Sequence, residues 1–356
     1  MSEFFTNKLS SLEPYIPGEQ PTGKDSFIKL NTNENPFPPS KKVKAAVSGK
    51  EVDNLRLYSD PTCSDFLEAL AKTFGVQKEN VFASNGSDEV LAFSFMAFCE
   101  KGAAYADITY GFYKVFAALL SVEATVVPLD DELKIKVDDY KNIDKTVFIA
   151  NPNAPTGIAL SADEVERLIK QNQKRLVVVD EAYVDFGGES VIPLTKRYKN
   201  LLVIGTFSKS RNLAGARLGF AVANEELIKD LNTVKFSFNP YNVNRLTLVA
   251  GAAALSDEKY FCDNLKKVVD VREYAKQELS KLGFVSTDSK TNFIFTKCPD
   301  GLSGEEYYKK LKRRGILVRY LGGKRIEKYV RISIGTKKDM DALIAATKEI
   351  LKGEGK

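Results

Sequence analysis

From about residue 62 onward, apolar positions fall into two alternating patterns. Short unbroken apolar runs at 81–83, 124–129, 147–150, 176–179, 201–204 and 220–222 predict strands, several of them buried on both faces. Between the strands the period changes. Phe66, Leu67, Leu70 and Phe74 fall on one helical face, and 161–172 predicts a helix opened by the capping box Ser161-Ala162-Asp163-Glu164. Another apolar helix is predicted directly after Asn85-Gly86-Ser87-Asp88-Glu89. Strands separated by crossovers of helical length imply an α/β fold whose mostly parallel sheet is covered on both sides.

The pattern shifts after a long helix predicted over 258–282 and stopped by Gly283. Beyond it, strands at 293–296, 316–320 and 330–334 and helices at 303–314 and from 338 predict a smaller α+β unit. The first sixty residues are irregular, because Pro14, Pro17, Pro21, Pro36, Pro38 and Pro39 prevent long helices. The expected organisation is therefore three-part. Residues 1–60 form an arm that joins the small unit or is exchanged with a partner, 61–255 a large domain, and 256–356 the small domain. Gly18-Glu19-Gln20-Pro21-Thr22-Gly23-Lys24-Asp25 nearly spells a phosphate-binding loop, but Asp25 replaces the required hydroxyl residue and no strand precedes it. The match reads as accidental.

Composition then removes whole classes of chemistry. Histidine is absent, which excludes Ser-His-Asp triads, Cys-His pairs and every His-dependent metal site, and no metal is expected. Acid–base work falls to Lys, Tyr, Asp or Glu. A net charge of +5 with dispersed basic residues gives no footprint for nucleic acid. No apolar stretch approaches the roughly 20 residues of a membrane span. With no export signal at the start, and Cys63, Cys99, Cys262 and Cys298 scattered, the expectation is a cytoplasmic protein with free thiols.

Two of the predicted strands end in chemistry. The run at 176–179 leads into Asp180-Glu181-Ala182-Tyr183, and the run at 201–204 into Phe207-Ser208-Lys209, with Arg217 eight residues further on. Taken singly these are weak, since a lysine among 52 basic residues is ordinarily a solvated charge. As an ordered set they are what a pyridoxal 5'-phosphate site needs. A lysine amine can bond the cofactor aldehyde and shuttle a proton, and an aspartate keeps the pyridine nitrogen protonated. A tyrosine serves the phenolic oxygen, while a serine and an arginine hold phosphate. Gly86, Ser87 and Asp88 lie between a strand end and a helix start, which suits either phosphate or an ordinary N-cap. Tyr110 either stacks on a flat ring or belongs to the core. Arg319 and Arg331, on strands of the small unit, are either surface residues or an anion clamp.

At the level of longer blocks, a resemblance emerges. Leu30-Asn31-Thr32-Asn33-Glu34-Asn35-Pro36, Tyr58-Ser59-Asp60-Pro61, Gly86-Ser87-Asp88-Glu89, Pro152-Asn153-Ala154-Pro155-Thr156-Gly157, Asp180-Glu181-Ala182-Tyr183 and Val330-Arg331-Ile332-Ser333-Ile334-Gly335 occur along essentially the full chain. Together they resemble the fold-type I, class II-like aminotransferases, most closely the histidinol-phosphate aminotransferases. The resemblance implies Lys209 as the cofactor-bearing lysine, Asp180 at the pyridine nitrogen and Tyr183 at the phenolic oxygen. It places Ser208, Arg217 and the amides of 86–88 on phosphate, and implies a homodimer in which Tyr58 reaches the other subunit's cofactor. The implied substrates are L-histidinol phosphate, its phosphate bound by Arg319, Arg331 and Tyr15, and 2-oxoglutarate. An aromatic amino-acid aminotransferase and a phosphothreonine-type decarboxylase share most of the blocks. Ala154 stands where the family has an asparagine that contacts the phenolic oxygen, and Asn153 is the candidate substitute. Asn33 and Glu34 are the candidates for reading the imidazole.

Overall fold

In a computed structural model, residues 2–10, 12–21 and 27–353 are described, so residues 22–25 of the near-match to a phosphate-binding loop lie outside the described residues. Twelve strands follow in chain order among these: β1 (Ile28–Lys29), β2 (Val81–Ser84), β3 (Ala103–Ala106), β4 (Ala124–Val127), β5 (Thr146–Ala150) and β6 (Val177–Asp180), then β7 (Leu201–Thr206), β8 (Gly219–Ala223), β9 (Val285–Ser286), β10 (Phe293–Lys297), β11 (Ile316–Leu317) and β12 (Tyr329–Ser333).

Seven of them form one sheet in the order β2-β8-β7-β6-β5-β3-β4. Strands β7, β6, β5, β3 and β4 run parallel, whereas β8 runs antiparallel to both its neighbours. The centre of the sheet is apolar on both faces because Val177, Val178, Val179, Leu201, Leu202 and Val203 are all fully buried. One face packs beneath helices Ser64–Phe74, Ala162–Gln171 and Arg245–Leu255, the other beneath Ser87–Phe98, Phe112–Leu120 and Glu225–Phe238.

A separate apolar core lies beyond helix Glu258–Ser280, where β9, β10 and β12 make an antiparallel sheet under Gly304–Arg313 and Lys337–Lys352. The long helix ends at Ser280, and Gly283 follows at φ +85°, a conformation that suits glycine. The arm contributes to this second core. β1 pairs in parallel with β11, and Leu30 is buried there.

Several elements differ from the sequence expectation. β3 is Ala-Ala-Tyr-Ala and lacks the branched residues that mark a strand, yet it is fully buried between β5 and β4. Helices Glu225–Phe238 and Arg245–Leu255 carry no predicted counterpart, although Asn224 and Asn244 cap them through side-chain oxygens. The strand expected at 316–320 stops at Leu317, with Arg319 continuing as an isolated antiparallel bridge to Arg331. Among the described residues no helix is long and apolar enough to cross a membrane.

Candidate active site

The parallel strands deliver their C-terminal ends to one edge of the sheet, where open α/β sheets bind ligands. Asp180 ends β6, Ser208 and Lys209 follow β7, and Ser87 follows β2. Their side chains line one cavity with Asp88, Tyr110, Ala154, Tyr183, Thr206 and Arg217. A second cavity shares Tyr110, Ala154, Tyr183 and Lys209 with the first and is lined further by Tyr15, Asn31, Arg319 and Arg331. The two therefore form one site with an inner and an outer chamber.

The inner chamber carries a buried carboxylate that no ion pair neutralises among the described residues. Asp180 is only 5% exposed, and its carboxylate accepts hydrogen bonds from the Ala182 amide (3.1 Å) and the Tyr113 hydroxyl (3.3 Å). No ion pair joins it to a cation among the described residues, and burial pushes its pKa up to about 6. A buried carboxylate without a cation is costly unless a ligand brings one. A protonated pyridine nitrogen is such a ligand group.

The opposite end is shaped for an anion. Helix Ser87–Phe98 has no side-chain cap, so its first amides remain available to a ligand at the positive end of the helix dipole. Gly86 sits at φ +75°, and a Cβ there would lie 2.5 Å from the Arg217 guanidinium, so only glycine lets the arginine close over the turn. Arg217 donates to Asp88 (3.1 Å) and toward Ser208 Oγ (3.5 Å). Ser208 Oγ also accepts from Thr206 (3.0 Å), which leaves its own proton free for a phosphate oxygen. Tyr110 spans the chamber and donates its hydroxyl to Asp88 (2.7 Å); burial, then the neighbouring Asp88 charge, pushes its pKa well up. Inner chamber and anion cradle together fit pyridoxal 5'-phosphate.

Lys209 lies between the chambers, its Nζ 3.4 Å from the Thr32 carbonyl, and its backbone carbonyl is held by the Asn35 side chain (3.0 Å). Tyr183 faces it, with the ammonium 5.7 Å from the ring centroid. In the outer chamber, Arg319 and Arg331 exchange backbone hydrogen bonds (2.9 and 2.8 Å), which sets both side chains on one face. Arg319 spends its guanidinium on the Ile16 and Pro17 carbonyls of the arm. Those contacts carry Tyr15 over the chamber, against Phe112 at 4.5 Å. Arg331 donates once, to the Asn31 carbonyl (3.0 Å), and its buried Nε has no partner among the described residues.

The site gathers most of the expected residues and leaves some out. Asn153 does not line the inner chamber. Its amide is committed to Ile108 O (2.9 Å) and Thr156 (3.1 Å), and its oxygen accepts from Thr109 (2.8 Å). The expectation that it substitutes for the missing asparagine is corrected: the turn aims residue 153 into the scaffold and Ala154 into the cavity. Neither candidate for reading the imidazole is free. Glu34 pairs with Lys29 at 2.7 Å, and Asn33 is bonded to Tyr183 and Ser333. Tyr58 stands apart, 80% exposed and stacked on Tyr241. Sequence reasoning missed Tyr113, Thr206 and Asn35. Only Asn35 had a signal, since it lies in the Asn-Glu-Asn-Pro block.

A family model described as aminotransferase class I and II matches residues 25–346. The chain is 49% identical to the histidinol-phosphate aminotransferase of Brachyspira hyodysenteriae, covering 99% of this chain and all of that one. It is 46% identical to the same enzyme of Clostridium botulinum, covering 99% of each. The fold is shared with the Sinorhizobium meliloti histidinol-phosphate aminotransferase solved with pyridoxal-5'-phosphate, at a TM-score of 0.88, 24% identity, and coverage of 99% and 98%. The uncapped helix, the cation-less carboxylate and the lysine between two chambers thus belong to a known lineage: the chain is a class I and II aminotransferase, of the histidinol-phosphate aminotransferase family.

Proposed function

We propose that the protein transfers the amino group of L-histidinol phosphate to 2-oxoglutarate, giving imidazole acetol phosphate and L-glutamate, as a cytoplasmic step of histidine biosynthesis. Full-length identity to enzymes of that name supports this reading over an aromatic amino-acid aminotransferase or a phosphothreonine-type decarboxylase. The observation that carries the substrate assignment is the Arg319–Arg331 pair, two arginines on directly paired backbone positions that both line the outer chamber, where an anionic group of a substrate would enter.

Pyridoxal 5'-phosphate, when bound, supplies the aldehyde that exchanges amino groups and the ring that takes up electrons as the substrate's α-proton leaves. The residues divide the remaining work. The amides after Gly86, with Ser87, Ser208 and Arg217, hold the cofactor phosphate, while Tyr110 covers the ring. Asp180 keeps the ring nitrogen protonated, and Tyr183 donates toward the phenolic oxygen. Lys209 Nζ, the amine shared by the two chambers among the described residues, takes the α-proton and returns it. Arg331, Arg319 and Tyr15 fix the substrate phosphate, and in the second half-reaction the same arginines receive a carboxylate of 2-oxoglutarate.

The working unit in this reading is a homodimer, with the arm at 1–60, a large domain at 61–255 and a small domain at 256–356 in each subunit. Leu55, Leu57, Tyr58 and Tyr241 form an exposed apolar ridge that a second copy would cover, which would bring Tyr58 to the neighbour's cofactor phosphate. The test is amino transfer by purified protein, followed as glutamate formation from histidinol phosphate, phenylalanine and phosphothreonine in parallel. Faster transfer from phenylalanine, or release of carbon dioxide from phosphothreonine, would overturn the assignment.

A further inference from the structure

Ala154 places a methyl group in the inner chamber where a hydrogen-bonding side chain would meet the cofactor's phenolic oxygen, and Asn153 is turned away. Tyr183 then has to supply that contact without help from residue 154. What keeps its hydroxyl pointed correctly lies outside the turn. Asn33, in the arm, donates its amide to Tyr183 Oη at 2.9 Å. Asn33 is buried at φ +56°, a left-handed conformation that asparagine tolerates better than most residues.

The direction of this bond follows from its neighbours. The Asn33 backbone N–H can only donate, and it donates to Ser333 Oγ at 2.7 Å. Ser333 is buried, and the one acceptor offered to its own proton among the described residues is Asn33 Oδ1, at 2.9 Å. The side-chain oxygen of Asn33 is thereby fixed on Ser333, and its NH2 must face Tyr183. Tyr183 Oη accepts there and has no other hydrogen-bond partner among the described residues. Its single proton is left to point into the chamber.

We infer that Asn33 is a positioning residue, holding the Tyr183 hydroxyl as a donor toward the cofactor's phenolic oxygen, a task to which residue 154 contributes nothing. The inference rests on the reading of Tyr183 and of pyridoxal phosphate given under the proposed function. The arm is tied to this point as well: Asn292, immediately before β10, donates to the Asn33 carbonyl (2.9 Å), and β10 pairs with β12, which carries Arg331 and Ser333.

Asn33→Asp separates positioning from packing. It keeps the acceptor for Ser333, removes the donor to Tyr183, and offers Tyr183 an acceptor that draws its proton out of the chamber. A hydrogen bond donated to a phenolate favours the deprotonated form, so its loss raises the pH midpoint at which the visible absorbance of the cofactor-loaded protein changes. The expected rise is about one pH unit. Asn33→Gly, which suits the positive φ, removes the side chain without adding charge and shifts the midpoint in the same direction. Tyr183→Phe does likewise, and adding Asn33→Gly to Tyr183→Phe produces no further shift. Ala154→Asn in the Asn33→Gly background brings the midpoint part of the way back. The inference is overturned if both Asn33 variants titrate like the wild type while Tyr183→Phe is shifted, or if the two shifts add in the double variant. A wild-type protein that takes up no pyridoxal phosphate refutes the proposed function itself, a different result from either.

Discussion

The inner and outer chambers share Tyr110, Ala154, Tyr183 and Lys209, yet they are built in opposite ways. The inner chamber stands on the ends of β2, β6 and β7, three strands of one continuous sheet, and each contributing residue lies within a few positions of a strand end. Its charges sit on rigid backbone. The outer chamber is assembled from the arm, the β12 strand and the bridge at Arg319, segments some 300 residues apart in sequence. Its charges sit on long side chains leaned against carbonyl groups. The inner chamber is anchored on one sheet, the outer one on contacts between distant segments.

That contrast can be broken by substitutions that should affect one chamber and spare the other. Lys209→Ala has the largest expected effect, a loss of turnover of about 10⁴-fold or more, because among the described residues no second amine lines the two chambers. Cofactor uptake, followed by absorbance, should weaken and persist, since the phosphate cradle is intact. Retained turnover would remove the lysine from the chemistry. Arg331→Ala comes next, lowering kcat/KM for histidinol phosphate by roughly 10²-fold while leaving cofactor affinity unchanged. A parallel loss of cofactor binding would show that the chambers are one unit after all.

A pH measurement probes the scaffold next to Asp180, in a cavity separate from the inner chamber. Glu181, beside Asp180, is buried and accepts from Ser190 and the Val191 amide (both 2.6 Å). Burial raises its pKa from 4.5 to about 8. Below pH 4.5 the side chain is protonated in both folded and unfolded states. Between 4.5 and 8 the folded protein retains a proton that the unfolded chain has released, so stability falls as pH rises through that window. Glu181→Gln removes this dependence. Its stability should match the wild type near pH 4.5 and exceed it at pH 8.5 by on the order of a few kcal/mol, read as a higher thermal midpoint at the higher pH. Equal midpoints at both pH values would mean that Glu181 is charged without cost. The smallest effect is expected for Arg319→Ala. Its guanidinium already holds the arm, so kcat/KM should fall only about 10-fold, with proteolysis of the arm accelerating in step. A loss as large as that for Arg331→Ala would make the pair equal partners on the substrate.

The same division explains what could be read from the sequence. Asp180, Ser208, Lys209 and Arg217 were legible because an apolar run followed at once by polar residues marks a strand end, and the site lies at strand ends. β3 was hidden because alanine carries little strand signal, and helix Arg245–Leu255 because it is apolar around most of its circumference and gives no amphipathic period. Asn153 misled because adjacency in a turn does not fix which side chain faces the cavity. Asn33 lies within the block Leu30–Pro36, but its partners, Tyr183 and Ser333, lie 150 and 300 residues away. Contacts of that separation leave no local pattern.

The pairing of Ile28 and Lys29 with Ile316 and Leu317 has a consequence for how the protein comes into being. Residues 28 and 29 are synthesised nearly 290 residues before their hydrogen-bonding partners at 316 and 317. During most of synthesis the sheet of the large domain can form and gather its ligand groups, while β1 waits with its backbone unpaired. Completion of the substrate chamber is therefore a late, long-range event, and a nascent chain halted before β11 would be a folded sheet with an open roof.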